Sequence, residues 1–106
     1  MRPDSFTVKV QEALEAAQRI ARERGHQALK PAHVFRALLD DAEGVASALL
    51  GKLGVDAKLL GGDVNALIDA LPRVSGSSDL YVSNELKQML DEADRERERL
   101  KDEYVS

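Results

Sequence analysis

The sequence predicts an all-α domain of about five helices, arranged as a helical repeat whose second copy is incomplete. Three observations carry this reading. Apolar residues recur at i, i+3, i+4 and i+7 through most of the chain, the spacing of one helix face. The composition is 43% hydrophobic and 32% charged, with few aromatics and only three prolines, a helix-favouring balance. The stretch 31–56 reads as two short helices that cannot bury their stripes alone, and a longer helical pattern stands on either side to receive them.

The first helix is predicted at about 8–24. Val10, Ala13, Leu14, Ala17, Ile20 and Ala21 share one face, and Thr7 is a candidate N-cap with Asp4 and Ser5 as rivals. Arg22 and Arg24 suit the negative end of the helix dipole, and Gly25 closes the helix. Residues 26–30 read as a linker anchored by Leu29. Pro31 suits the first turn of a second helix, where its missing N–H costs nothing. Val34, Phe35, Leu38 and Leu39 form its apolar face, and Asp40, Asp41 and Gly44 break it. Val45, Leu49, Leu50 and Leu53 make the stripe of a third helix, with Gly54 at its left-handed C′ position.

Asp56 is the predicted N-cap of a fourth helix, with Leu59, Leu60, Val64, Leu67, Ile68 and Leu71 inward and Pro72 as its stop. Gly61-Gly62 is its weak point, since each glycine costs roughly 1 kcal/mol against alanine, and Asp63 is a place for the helix to restart. Residues 73–82 form a Gly/Ser-rich loop with β-type residues at its flanks. Ser83 then caps a last helix with Leu86, Met89, Leu90, Ala93 and Leu100 inward. Its second half is densely charged and pairs Asp91 with Arg95, Asp94 with Arg97 and Glu98 with Lys101, which reads as a solvated face.

Composition excludes several function classes. The net charge of −4 supplies no basic surplus for a phosphate backbone. With no cysteine there is no disulfide or thiolate chemistry. The N-terminal MRPDSFTVKV lacks the apolar core of a signal peptide, and no apolar run approaches the roughly 18 residues of a membrane span, so a cytoplasmic location is expected. The two short helices around 31–53 mimic a helix-turn-helix, but VASALLGKLG offers a single lysine and no Arg, Asn or Gln to read base edges. No serine lies in a GxSxG context and no GxxxxGK[ST] loop is present, so no catalytic site, metal or cofactor is expected in this chain. His26 and His33 lie on different elements without a Cys or paired acid to complete a metal site, and His33 reads as a packed or capping residue.

Laying the last helix on the first aligns Thr7 with Ser83, Val10 with Leu86, Leu14 with Leu90, Ala17 with Ala93, Arg19 with Arg95 and Leu29 with Val105. This divides the chain into a first repeat at about 1–72, a linker at 73–82 and a partial second repeat at 83–106. Ser106 then stands where a further short helix pair begins. That arrangement suggests a fragment, with part of the last helix's stripe exposed and self-association as one way to cover it.

MRPDSFTVKVQEAL (1–14), GHQALKPAHVFRALL (25–39), GVASALLGKLGVD (44–56), LPRVSG (71–76) and LKDEYVS (100–106), in this order, resemble the amino-terminal domain of the Clp proteins, and within them the disaggregase chaperones. Two departures are Lys30, where the family usually has Thr or Ser, and Ala32, where it usually has an acid. Both weaken a capping box on the second helix, and Pro31 partly compensates. The resemblance implies a mobile module on a hexameric AAA+ unfoldase that binds exposed apolar segments of unfolded or aggregated polypeptides. It implies ATP hydrolysis in other domains of the parent protein, and refolding with the DnaK system under stress. It also implies contact residues: Thr7 and Asp102 directly, with Leu90 and Tyr104 as apolar neighbours. The alternative the same resemblance allows is a module that docks a folded adaptor protein.

Overall fold

The computed structural model describes residues 4–41, 44–74 and 79–105, with side chains at 8–41, 44, 46–74 and 79–102. Helices α1 (Asp4–Glu23), α2 (Pro31–Asp40), α3 (Val45–Leu53), α4 (Ala57–Asp69) and α5 (Asn84–Val105) follow in chain order, so the all-α reading stands. One small addition was not predicted. Strand β1 (Ala28–Leu29) runs parallel to β2 (Tyr81–Val82), pairing Ala28 with Tyr81 and Leu29 with Val82. The predicted linker and the end of the predicted loop are thus joined, and this ladder sets where α5 begins.

Helix α1 starts at Asp4, so Thr7 lies inside its first turn and is not its N-cap. The helix ends as predicted at Gly25, whose φ of 74° is open to glycine without strain. His26 N–H donates to Ala21 O at 2.8 Å and Gly25 N–H to Arg22 O at 3.1 Å, the paired bonds of a Schellman end. Gly54 closes α3 in the same way, with Val55 N–H to Leu50 O and Gly54 N–H to Gly51 O. Asp56 Oδ1 caps α4 by accepting from the N–H groups of Lys58 and Leu59. Ser83 Oγ caps α5 by accepting from Leu86 N–H at 3.2 Å.

The core is built on small residues that bring α1 and α2 close. Ala17 and Ala21 of α1, Leu29 of β1, Val34 and Ala37 of α2 and Leu86 of α5 are buried together. Leu14, Ile20, Leu80, Met89 and Leu90 pack around them. Against the other side of α2, Val64 and Ile68 bring in α4. That helix runs without a break through Gly61-Gly62, and no restart occurs at Asp63. The reason is visible at Gly61: Arg36 of α2 lies over it, donates to its carbonyl at 3.3 Å and reaches Asn65 Oδ1 at 3.1 Å. A Cβ at Gly61 would stand 3.3 Å from the Arg36 guanidinium, which would have to give by a few tenths of an ångström.

Several residues assigned to inner faces lie outward. Leu53 is 74% exposed, Leu59 70% and Leu67 61%, and Phe35, Leu38 and Leu49 are also exposed. Helices α3 and α4 carry apolar residues on more than one side, and α2 covers one side only. From Asp91 to Asp102, every residue of α5 except Arg97 and Lys101 is exposed, and Leu100 is among the exposed ones rather than inward. Charge pairing along this stretch is real but shifted. Asp94 pairs with Arg97 as predicted, whereas Arg95 pairs with Glu92 instead of Asp91, and Glu98 lies against Arg97.

A candidate binding cleft between the first and last helices

The face of α1 that begins near its N-terminus does not end in the core. Val10, Gln11 and Leu14, at i, i+1 and i+4, form one wall of an open cleft of about 270 Å³. The opposite wall comes from α5, where Leu90, Ala93, Asp94 and Arg97 recur at i, i+3, i+4 and i+7. Helical periodicity places these four on one side of α5. Leu14 and Leu90 also rest on the core cluster, so the floor of the cleft is anchored from below. At its rim Arg97 Nε donates to Asp94 Oδ1 at 3.1 Å. The cleft therefore offers aliphatic walls with a side-chain amide and an ion pair at the edge. That combination suits an apolar side chain together with the amides of a peptide backbone.

Of the four residues the sequence pointed to, Leu90 lines this cleft. Thr7 sits on α1 one turn ahead of Val10 and Gln11, and its side chain lies outside the described residues. Asp102 is exposed on α5, eight residues beyond Asp94 and so about 12 Å farther along the helix at 1.5 Å per residue, and it does not line the cleft. Tyr104 falls on α5 with its side chain outside the described residues. The sequence reading missed Gln11, and it read Arg97 only as one member of a solvated ion pair. The usable signal was the matching 3–4 spacing on both helices.

A second cluster lies at the junction of α1 and α2. His26 was read as part of a linker, yet it is buried, and His33 is wholly buried. Lys30 N–H donates to His33 Nδ1 at 3.0 Å, and His33 N–H donates to Lys30 O at 3.0 Å. His33 thus supplies the reciprocal capping acceptor that Lys30 and Ala32 do not. Since Nδ1 accepts, the neutral ring carries its proton on Nε2 and donates it to His26 Nδ1 at 2.9 Å. His26 in turn carries its proton on Nε2, which is buried without a partner among the described residues. Burial, then the nearby charges of His26 and Arg24, hold His33 down to about 4. Burial, then Arg73 and Arg24, also hold His26 below its ordinary value, with Asp69 opposing. Among the described residues, no group of three His, Cys, Asp or Glu is placed to hold a metal ion.

Residues 5–106 match the family of the Clp repeat (R) N-terminal domain, nearly the whole chain. The chain belongs to the Clp repeat N-terminal domain family. Curated relatives point to one branch. The chain is similar to the chaperone protein ClpB of Porphyromonas gingivalis, 38% identical over 106 residues, which is 100% of this chain and 12% of that protein. It is 36% identical to ClpB of Bacillus cereus over 97% of the chain and 12% of that protein. ClpB of Vibrio cholerae is 36% identical over 100% of the chain and again 12% of the relative. The chain thus spans about an eighth of the length of the curated relatives it matches. A Clp repeat N-terminal domain is not a nucleotide-binding domain. Among the described residues, no helix is long and apolar enough to cross a membrane.

Proposed function

We propose that this Clp repeat N-terminal domain is the substrate-engaging module of an ATP-dependent, ClpB-like disaggregase, binding exposed apolar segments of unfolded or aggregated proteins in the α1–α5 cleft. The observation that carries the reading is the cleft itself: Val10, Leu14 and Leu90 are only partly buried and Ala93 is exposed, although they belong to the two long helices that frame the core. Exposed leucines also stand on α3 and α4, but here apolar side chains of two helices face each other across one concave space, the form a peptide side chain can enter. The cleft is short, its walls are aliphatic, and the two charges among its described lining residues, Asp94 and Arg97, pair with each other. Such a site holds many sequences weakly, with dissociation constants between micromolar and millimolar, about −8 to −4 kcal/mol. Thr7, Asp102 and Tyr104 extend the contact surface along both helices in this proposal, and ATP hydrolysis and work with the DnaK system belong to other parts of a hexameric parent protein.

Docking of a folded adaptor is the second reading, and the charged half of α5 is what favours it. Its carboxylates and guanidinium groups pair along the helix: Glu92 with Arg95, Asp94 with Arg97, Glu96 with Arg99. Exposed pairs of this kind contribute about 0–1 kcal/mol each and are screened by salt. Fluorescence anisotropy with a labelled, permanently unfolded polypeptide separates the two. Apolar capture gives saturable binding that changes little between low and high salt and is competed by other unfolded chains. Binding lost at high salt, or not competed by unfolded chains, supports the adaptor instead.

A further inference from the structure

We propose that the His26–His33 pair is an acid-sensitive clasp: one added proton opens it and releases α5 from the α1–α2 hairpin, changing the width of the α1–α5 cleft. The inference stands on the hydrogen-bond chain and holds whether or not the cleft takes unfolded polypeptide. In the neutral state every imidazole lone pair is used. Lys30 N–H occupies His33 Nδ1, and His33 Nε2–H occupies His26 Nδ1. The chain ends on His26 Nε2–H, which has no acceptor among the described residues. A proton added to His26 sets N–H against N–H between the rings, and a proton added to His33 sets N–H against the Lys30 amide. Either event breaks one link.

What the clasp encloses gives the event its reach. Residues 27–30 lie between the two histidines, and they hold the start of α5. Tyr81 N–H donates to Gln27 O at 2.9 Å and Ser83 N–H to Leu29 O at 3.0 Å. Lys30 Nζ reaches Glu85 Oε1 at 3.3 Å. Beyond this segment the first turns of α5 are seated on the core by Leu86, Met89 and Leu90, and the helix shifts about that seat when the segment loosens. The charges around the rings come from every packed element. Arg24 follows α1, Lys30 precedes α2, Asp69 lies on α4, Arg73 follows it, and Glu85 lies on α5. Arg24 is paired with Asp69 and Lys30 with Glu85, so a new imidazolium meets cations whose nearest acids are already engaged.

The test uses the absence of cysteine in the native sequence. Spin labels on Glu15→Cys of α1 and Glu92→Cys of α5, both exposed and outside the cleft, report the distance between the helices. The distance distribution is expected to lengthen or broaden between pH 7 and pH 4 while far-ultraviolet circular dichroism keeps its helical signal. In His26→Phe/His33→Asn, where Asn keeps an acceptor for the Lys30 amide, the change is expected to vanish. An unchanged distribution overturns the clasp. So does an equal change in the double variant, which assigns the effect to Glu85 or other carboxylates, and so does loss of helix with the same midpoint. Should the double variant not fold, nitrogen-15 spectra of the native imidazoles decide. Nε2–H on both rings at pH 7 supports the chain, and an Nδ1–H on either overturns it.

Discussion

Leu14 of α1 and Leu90 of α5 come from opposite ends of the chain, yet they line one cleft and rest on one core cluster. Each is half core and half surface. Leu90→Ser should therefore act on both. Removing its exposed methyl groups is expected to weaken capture of an unfolded polypeptide five- to tenfold, about 1–1.4 kcal/mol. Anisotropy titration reads the loss of affinity, and thermal unfolding reads a parallel, modest loss of stability. Asp102→Asn, on the part of the proposed contact surface beyond the cleft, is expected to weaken capture about twofold at low salt and by less at high salt.

The stability of the domain should fall in mild acid, and the sign follows from His33. Unfolded, its imidazole titrates near 6.5; folded, it is held down to about 4. Above pH 6.5 both states are neutral and the full stability is present. As pH falls from 6.5 to 4 the unfolded chain takes up a proton that the folded one refuses, so stability is lost across that window. The loss from this residue is on the order of 3 kcal/mol. Urea unfolding at several pH values checks it, with a decline in midpoint starting above the carboxylate range as the signature.

Ser83→Ala removes the acceptor that Leu86 N–H uses at the start of α5, at a buried position. A loss of about 1 kcal/mol is expected in denaturant unfolding. Because Ser83 also fixes β2 to β1 through its own backbone, hydrogen exchange should speed most in residues 81–87.

Two glycines of α3 should respond in opposite directions. Gly51 is exposed within the helix, with nothing near the position of a Cβ, so Gly51→Ala is expected to stabilise by about 0.5–1 kcal/mol. Gly54 also has open space but sits at φ 75°, so Gly54→Ala is expected to destabilise by about 1 kcal/mol. Thermal unfolding of the pair compares them directly.

What could be read in advance was mostly local. Gly25, Gly54, Asp56 and Ser83 were legible because a left-handed glycine or a capping side chain acts within a few residues of itself. Thr7 failed by the same test. It met the residue preference for a cap, but α1 begins at Asp4, and the Thr7–Ser83 correspondence of the two helices does not extend to their caps. The inner face of α4 was half right, since a helix with leucines on two sides does not declare by periodicity which one its neighbour covers. Val64 and Ile68 are covered, and Leu59 and Leu67 are not. The β1–β2 ladder and the histidine pair were hidden for another reason. Two-residue strands carry no alternation, and a buried bond between rings seven residues apart depends on how the intervening turn is folded. Of the candidate cleft, Leu90 is among the residues the resemblance pointed to, Val10 and Leu14 were read only as part of an apolar helix face, and Gln11 was not singled out.

The most direct test of the central claim is a two-dimensional methyl and amide NMR titration of this 106-residue chain with a denatured model protein. Capture in the α1–α5 cleft predicts saturable shifts of the Val10, Leu14, Leu90 and Ala93 methyl groups, with the exposed leucines of α3 and α4 unmoved. Shifts confined to Leu53, Leu59 and Leu67, or no saturable shift at all, would contradict it.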